Sequence, residues 1–182
     1  MVLELLEGKN VNLRVEEKED LQLVAEWINN PEYFGIYNPL MQLSRSELEK
    51  GFDKFTPETK WFFIEKKDGS KVGAIGHFPA GKLMEIGYAL IPSEREKGYC
   101  TEAAKIMVDY LFLAKDIVRI QTHIDPRNIA SWKVIEKAGF KKEGTVRKSS
   151  FFKGEWRDML LYSILREEWK EPKILTKTIS RE

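Results

Sequence analysis

The stretch that most constrains this chain runs from Leu83 to Phe112. An apolar strand pattern, Leu83 to Ile91, is stopped by Pro92. A loop carrying Arg95, Lys97 and Gly98 follows. Then comes the clearest amphipathic helix in the sequence, Thr101 to Phe112, with Ala103, Ile106, Met107, Tyr110 and Leu111 on one stripe. A buried strand that turns through a glycine into a helix belongs to a sheet covered by helices. The first N–H groups of a helix lack partners inside it and sit at the positive end of its dipole. Gly98 has no side chain to hold an anion away, Cys100 is small, and Arg95 and Lys97 add charge. The segment therefore describes a cradle for a pyrophosphate. It is neither a Gly-x4-Gly-Lys-Ser/Thr loop nor a Gly-x-Gly-x-x-Gly fingerprint. A tight strand-to-helix turn with solvated charges would read the same way.

The rest of the chain supplies more strands than helices. Val11 to Val15 alternates as a short strand. Asp20 opens a helix whose stripe is Leu21, Val24, Ala25 and Ile28, ended by Asn29-Asn30-Pro31. Tyr33-Phe34-Gly35-Ile36-Tyr37 reads as loop, and Ser44 or Ser46 could cap a helix through Leu48, Phe52 and Phe55. Trp61 to Glu65 and Lys71 to His77 flank Asp68-Gly69, a hairpin signal. Val118 to Ile124 is a strand, Ser131 to Ala138 a short helix stopped by Gly139, and Phe140 to Lys148 with Trp156 to Leu165 a closing hairpin around Lys153-Gly154-Glu155. The order β-α-α-β-β-β-α-β-α-β-β predicts a mixed α/β sheet flanked by helices.

Composition removes competing classes. The 182 residues carry 30 Lys plus Arg against 29 Asp plus Glu, a net charge of +1, so a general polyanion binder is not expected. The longest uncharged stretch, Tyr33 to Ser44, is 12 residues and holds Pro39, far short of the roughly 18 apolar residues of a membrane span. The acidic N-terminus does not read as a signal peptide. A single cysteine excludes an intrachain disulfide and cysteine-cluster metal sites, and two scattered histidines argue against zinc. The expectation is a soluble, cytoplasmic protein with one domain over residues 1–170 and a polar tail over 171–182.

A second constellation runs from Asp125 to Phe140. Asn128 and Ser131 stand where a strand gives way to a helix, and that helix ends Lys137-Ala-Gly139-Phe140. Helix capping alone would favour Asn and Ser there. Together, and in this order, the two constellations resemble the GNAT (GCN5-related) N-acetyltransferases. The loop pattern Arg/Gln-x-x-Gly-x-Gly/Ala is matched by Arg95-Glu-Lys-Gly98-Tyr-Cys100. The sequence looks most like the Rim-type ribosomal-protein branch, through Leu13-Arg14, Ile86-Gly87-Tyr88, Gly98 to Ala103, Asn128-x-x-Ser131 and Leu165-Arg-Glu-Glu-Trp169. Two positions depart from the superfamily pattern. Cys100 replaces Gly or Ala, and Ile135 stands where many members carry an acid tyrosine. The Rim-type branch commonly lacks that tyrosine.

The resemblance implies an α/β (α+β) fold with a mixed, mostly antiparallel twisted sheet of about six to seven strands and about four helices. It implies transfer of acetyl from acetyl-CoA to an amine by direct attack, with no metal. By the family pattern, Leu83–Ile91 and Val118–Ile124 splay apart around pantetheine. Backbone groups of Leu90 and Ile91 would pair with it, and a backbone N–H near Leu90 would polarise the thioester carbonyl. Arg95, Lys97 and the amides of Gly98, Tyr99, Cys100 and Thr101 would hold the pyrophosphate, and Asn128 the cofactor arm. Ser131 is the candidate to protonate or stabilise the leaving sulfur. Glu85 is the candidate base, acting directly or through water; a solvated edge carboxylate is the alternative.

Tyr33, Tyr37 and Phe151 are candidates to shape the acceptor pocket, although core or lid packing would also account for them. His77 and His123 read as strand residues, and Cys100 as a small-residue replacement. The favoured acceptor is a protein N-terminal α-amine, since a pKa near ~8 leaves about a tenth neutral at pH 7, against a few parts in ten thousand for an amine near ~10.4. A polyamine, amino acid or aminoglycoside acceptor stays open. So does a non-catalytic acyl-CoA-binding module. Stable binding to nucleic acid or membrane is not expected, and the chain is expected as a monomer or homodimer.

Overall fold

The computed structural model describes residues 5–39, 41–170 and 172. Among these residues eight strands form one sheet: β1 (Leu5–Glu7), β2 (Val11–Val15), β3 (Lys60–Lys66), β4 (Lys71–Ala80), β5 (Leu83–Leu90), β6 (Arg119–Ile124), β7 (Lys141–Phe152) and β8 (Glu155–Leu165). Their spatial order is β1-β2-β3-β4-β5-β6-β8-β7. Among the described residues every neighbouring pair is antiparallel except β5–β6. The mixed, mostly antiparallel sheet matches the expectation, with one strand more.

Among the described residues five α-helices accompany it: α1 (Leu21–Ile28), α2 (Pro31–Phe34), α3 (Arg45–Phe52), α4 (Tyr99–Ala114) and α5 (Ile129–Lys137). Two elements depart from the sequence reading. The three-residue β1 is too short to show alternation. The segment read as loop begins with the single turn α2, because Pro31 suits a first helical position and the Asn30 side chain accepts from the Glu32 N–H. Ser44, not Ser46, caps α3, in a capping box with Glu47. The tail expected over 171–182 lies outside the described residues, apart from Pro172.

The two sheet faces are filled differently. On one, α4 and α5 bury Ala103, Ile106, Met107, Leu111 and Ile135 against Val11, Leu13, Phe62, Ile75 and Ile86. On the other, Trp27 of α1 meets Phe63 edge-on at 5.5 Å and stacks on Tyr33 at 4.9 Å. A buried ion network pins α1 to this face. Arg14 of β2 holds Asp20 at 2.9 Å and Glu65 of β3 at 2.8 Å. The Asp20 hydrogen bond, with Glu65 behind it, keeps the guanidinium charged despite burial.

Candidate active site

The sheet has a fork. β5 pairs with β4 as far as Leu90 opposite Gly73, and β6 pairs with β8 as far as Ile124. Between them, β5 and β6 share only Met84↔Ile120 and Glu85↔Gln121. Beyond Glu85 the two strands part. The Ile91 N–H bonds the Val72 carbonyl, and the Ile91 carbonyl accepts from Glu94. Ile91 therefore has both backbone groups engaged within the chain, and the expectation that it would pair with pantetheine is corrected. Because antiparallel partners alternate, the backbone groups of Leu90 and Tyr88 face the fork instead. The Leu90 carbonyl takes Arg95 Nε at 3.2 Å.

The cradle above the fork is made of backbone. Gly98 caps α4 with φ 85°, a left-handed conformation, and a Cβ placed on it would meet nothing within 4 Å. Glu102 is the first residue whose N–H turns back into the helix, onto the Gly98 carbonyl. The amides of Tyr99, Cys100 and Thr101 precede that first bond, and the residues four back from them lie outside the helix. Open space over unpaired amides fits a pyrophosphate.

The cationic side chains sit otherwise than expected. Arg95 donates to the carbonyls of Glu32 and Tyr33 as well as Leu90, strapping α2 to the end of β5. Lys97 pairs with Glu94 at 3.0 Å. The Cys100 side chain is buried, and that burial pushes its thiol up to about 12. It packs into the core beside α4, leaving its amide for the cradle.

Across the fork stands the start of α5. Asn128 caps it, its Oδ1 accepting from the Ser131 N–H at 3.2 Å, so only its NH2 faces elsewhere. Ser131 Oγ lies 2.8 Å from Tyr88 Oη, which also donates to the Ser131 carbonyl at 3.0 Å. Tyr88 thus ties β5 to α5 across the gap. Burial raises its phenol well above the ordinary value, so the proton stays on. Sequence reading missed this residue because its alternation reads as core. Ile135 is fully buried.

Glu85 lies at the base of the fork. Its Oε1 is 3.0 Å from His123 Nδ1, and its Oε2 is 3.4 Å from Gln121 Nε2. It is not a solvated edge carboxylate. His123 is a strand residue, as its sequence context predicts, and Glu85 is its partner. Period-two alternation in β6 does place Gln121 and His123 on one face, but only the parallel register brings that face to Glu85.

The aromatic candidates scatter. Tyr33 is 5 % exposed, stacked on Trp27, with its hydroxyl 3.5 Å from the Ala89 carbonyl. Tyr37 is half-buried with the Arg127 guanidinium 6.0 Å over its ring. Arg127 is itself held by buried Asp125, which also holds Arg157 of β8. Phe151 is exposed at the tip of the β7–β8 hairpin, beside Trp156. The structure does not bring these three rings together. His77 is buried, its Nδ1 on the Glu58 carbonyl, and burial lowers it to about 4.

A sheet forked beside a glycine-capped helix asks for comparison with known proteins. Residues 10–141 match the family model of the acetyltransferase (GNAT) domain. The chain belongs to the GNAT acetyltransferases. It is an acyltransferase of the N-acetyltransferase class, and acetyl-CoA is its co-substrate. It is 29% identical over 181 residues to the Bacillus subtilis (strain 168) protein named probable N-acetyltransferase YjcK, covering 90% of this chain and 98% of that one. Two solved structures share the GNAT fold. Ribosomal-protein-S5-alanine acetyltransferase from Vibrio fischeri has a TM-score of 0.81 at 22% identity, over 92% of this chain and 99% of that one. Spermidine N-acetyltransferase from Vibrio cholerae, in complex with CoA and spermine, has a TM-score of 0.76 at 22% identity, over 88% and 98%.

Proposed function

We propose that this GNAT acetyltransferase acetylates a protein N-terminal α-amine by direct attack. The observation that carries the reading is the fork, with an open backbone cradle above it and a carboxylate held at its base. Acetyl-CoA, when bound, supplies the activated acetyl group. The Tyr99–Thr101 amides and the Gly98 turn hold its phosphates, and the fork-facing backbone of Tyr88 and Leu90 receives its arm. The Leu90 N–H is the donor for the acetyl oxygen.

Attack requires a neutral amine. Glu85 takes the ammonium proton, and His123 and Gln121 hold its two oxygens in place. Ser131, held by the Tyr88 hydroxyl, donates its proton to the departing sulfur and regains one from the nitrogen as the amide forms. An α-amine needs modest help, because about a tenth of it is already neutral at pH 7. The chain is placed in the cytoplasm as a monomer or homodimer, without stable nucleic-acid partners. In support, no helix among the described residues is long and apolar enough to cross a membrane, and the charge is balanced.

A second reading, a polyamine acceptor, is favoured by a relative: the Escherichia coli (strain K12) protein named spermidine N(1)-acetyltransferase, 25% identical over 88% of each chain. Thiol release from acetyl-CoA, measured against N-terminal peptides and polyamines with mass spectrometry of the products, separates the two. Preference for peptides supports the first reading, and preference for spermidine the second. Acetyl-CoA binding without acceptor-dependent release leaves a binding module.

A further inference from the structure

The sheet face that carries Glu85 also carries an aromatic trough beside it. Gly76 and Gly87 are directly opposite each other on β4 and β5, and Phe78 is directly opposite Glu85. Opposed antiparallel residues share a face, so Trp61, Gly76, Gly87, Phe78 and Glu85 lie on one surface. The Trp61 indole lies flat over Gly76, so close that a Cβ there would come within 2.5 Å of the ring. At Gly87 the space stays open. A Cβ there would meet Phe78 Cε1 at 3.7 Å and Trp61 Cη2 at 3.8 Å, both ordinary contacts. The missing side chain at Gly87 is therefore the floor of a slot walled by two aromatic rings. Glu85 stands two residues along the strand, about 7 Å away, at the point where β5 loses β6.

We infer that this slot receives the apolar side chain of the acceptor and selects its class: a single amine whose neighbouring carbon bears a bulky apolar group. The inference rests on the acetyl-transfer reading above and deepens it. Two acids lie on this face of β3–β5, and Glu65 is held by Arg14, which leaves Glu85 beside the slot. One carboxylate matches one ammonium. A polyamine would bring further charges onto the Trp61 and Phe78 rings, and the next acid on this face, Glu16, lies beyond Trp61 at the end of the neighbouring strand. An α-amine followed by Phe or Leu places its nitrogen at Glu85 and its side chain over Gly87, between Trp61 and Phe78. The same slot gives nothing to an N-terminal glycine.

The test compares kcat/KM for three acceptors: the tripeptide amides Phe-Ala-Ala and Gly-Ala-Ala, and spermidine. Filling an apolar pocket discriminates by roughly 10- to 200-fold, so the Phe peptide is expected to exceed the Gly peptide by about 10-fold or more, and to exceed spermidine. Gly87→Val fills the slot with a strand-compatible side chain. It should abolish the preference through acceptor KM, while acetyl-CoA binding by calorimetry and the melting temperature stay near the native values. Trp61→Leu removes one wall and should reduce the preference without adding bulk. Turnover with equal kcat/KM for the two peptides, or a preference unchanged in both variants, overturns the slot alone. A preference for spermidine overturns the slot and the N-terminal reading together. Failure of every acceptor, with acetyl-CoA binding intact, overturns acetyl transfer and the slot with it.

Discussion

The proposed cofactor cradle and the proposed acceptor face are built from different materials. The cradle at Gly98–Thr101 is backbone, and its nearby cations are engaged elsewhere, Arg95 with three carbonyls and Lys97 with Glu94. The acceptor face is side chain: Glu85, His123, Trp61 and Phe78, drawn from four strands. A backbone site depends on one local conformation, whereas a side-chain site depends on the register of every strand that contributes. Substitutions should therefore cost most on the acceptor face and least among the cradle's charges.

Glu85→Gln is the strongest test. It keeps the shape and removes the proton acceptor, so kcat/KM should fall about 100- to 10,000-fold with acetyl-CoA affinity unchanged; a loss below about 5-fold would move the base elsewhere. Titration gives the next contrast, because a half-buried acid flanks the acceptor side and the cradle does not depend on one. The N–H of Glu16 bonds the Trp61 carbonyl, and burial, with Asp20 nearby, pushes the Glu16 carboxyl up to about 7. Its folded value lies above the unfolded one, so its contribution is full below the unfolded value of 4.5 and is lost as pH rises through about 7. Glu16→Gln should remove that loss, on the order of 3 kcal/mol, and chemical denaturation at pH 5 and pH 8 reads it.

Ser131→Ala should lower kcat by roughly 10- to 100-fold if it returns the proton. Tyr88→Phe, which keeps the ring, should lower it less. If both variants turn over normally, these hydroxyls only tie β5 to α5. Gly98→Val strains a left-handed position and crowds the amides, so acetyl-CoA affinity should fall about 10-fold with acceptor KM unchanged. Lys97→Ala, an exposed and already paired cation, should change affinity by no more than about 3-fold. A larger loss there would make the cradle depend on side chains after all.

This division also explains what the sequence made legible. The Gly98 loop, the α4 stripe, the Ser44 cap and the Asp68-Gly69 turn are local, and each is readable within a few residues. β1 and α2 were missed because three- and four-residue elements have no period to read. Glu85 was nominated from the family pattern. Its contacts with His123 and Gln121 were not, because they arise from a parallel pairing between strands separated by the whole of α4. The slot at Gly87 was hidden for the same reason: two glycines and a tryptophan on three strands become neighbours only once the antiparallel register is set. The candidate rings Tyr33, Tyr37 and Phe151 show the converse. Their composition suggested a pocket, and the chain packs each in a different place.

The two-pair joint between β5 and β6 also makes the sheet a pair of plates with a seam. Across it run Met84↔Ile120, Glu85↔Gln121, the Tyr88–Ser131 bridge and the packing of α4 on α5. Local opening should start at such a seam, since few backbone bonds resist it. In hydrogen exchange the fork-facing amides of Tyr88 and Leu90 should trade their protons faster than those of Ala89 and Ile91, which point to β4. Acetyl-CoA should slow the first pair and leave the second unchanged, closing the seam as a missing strand would.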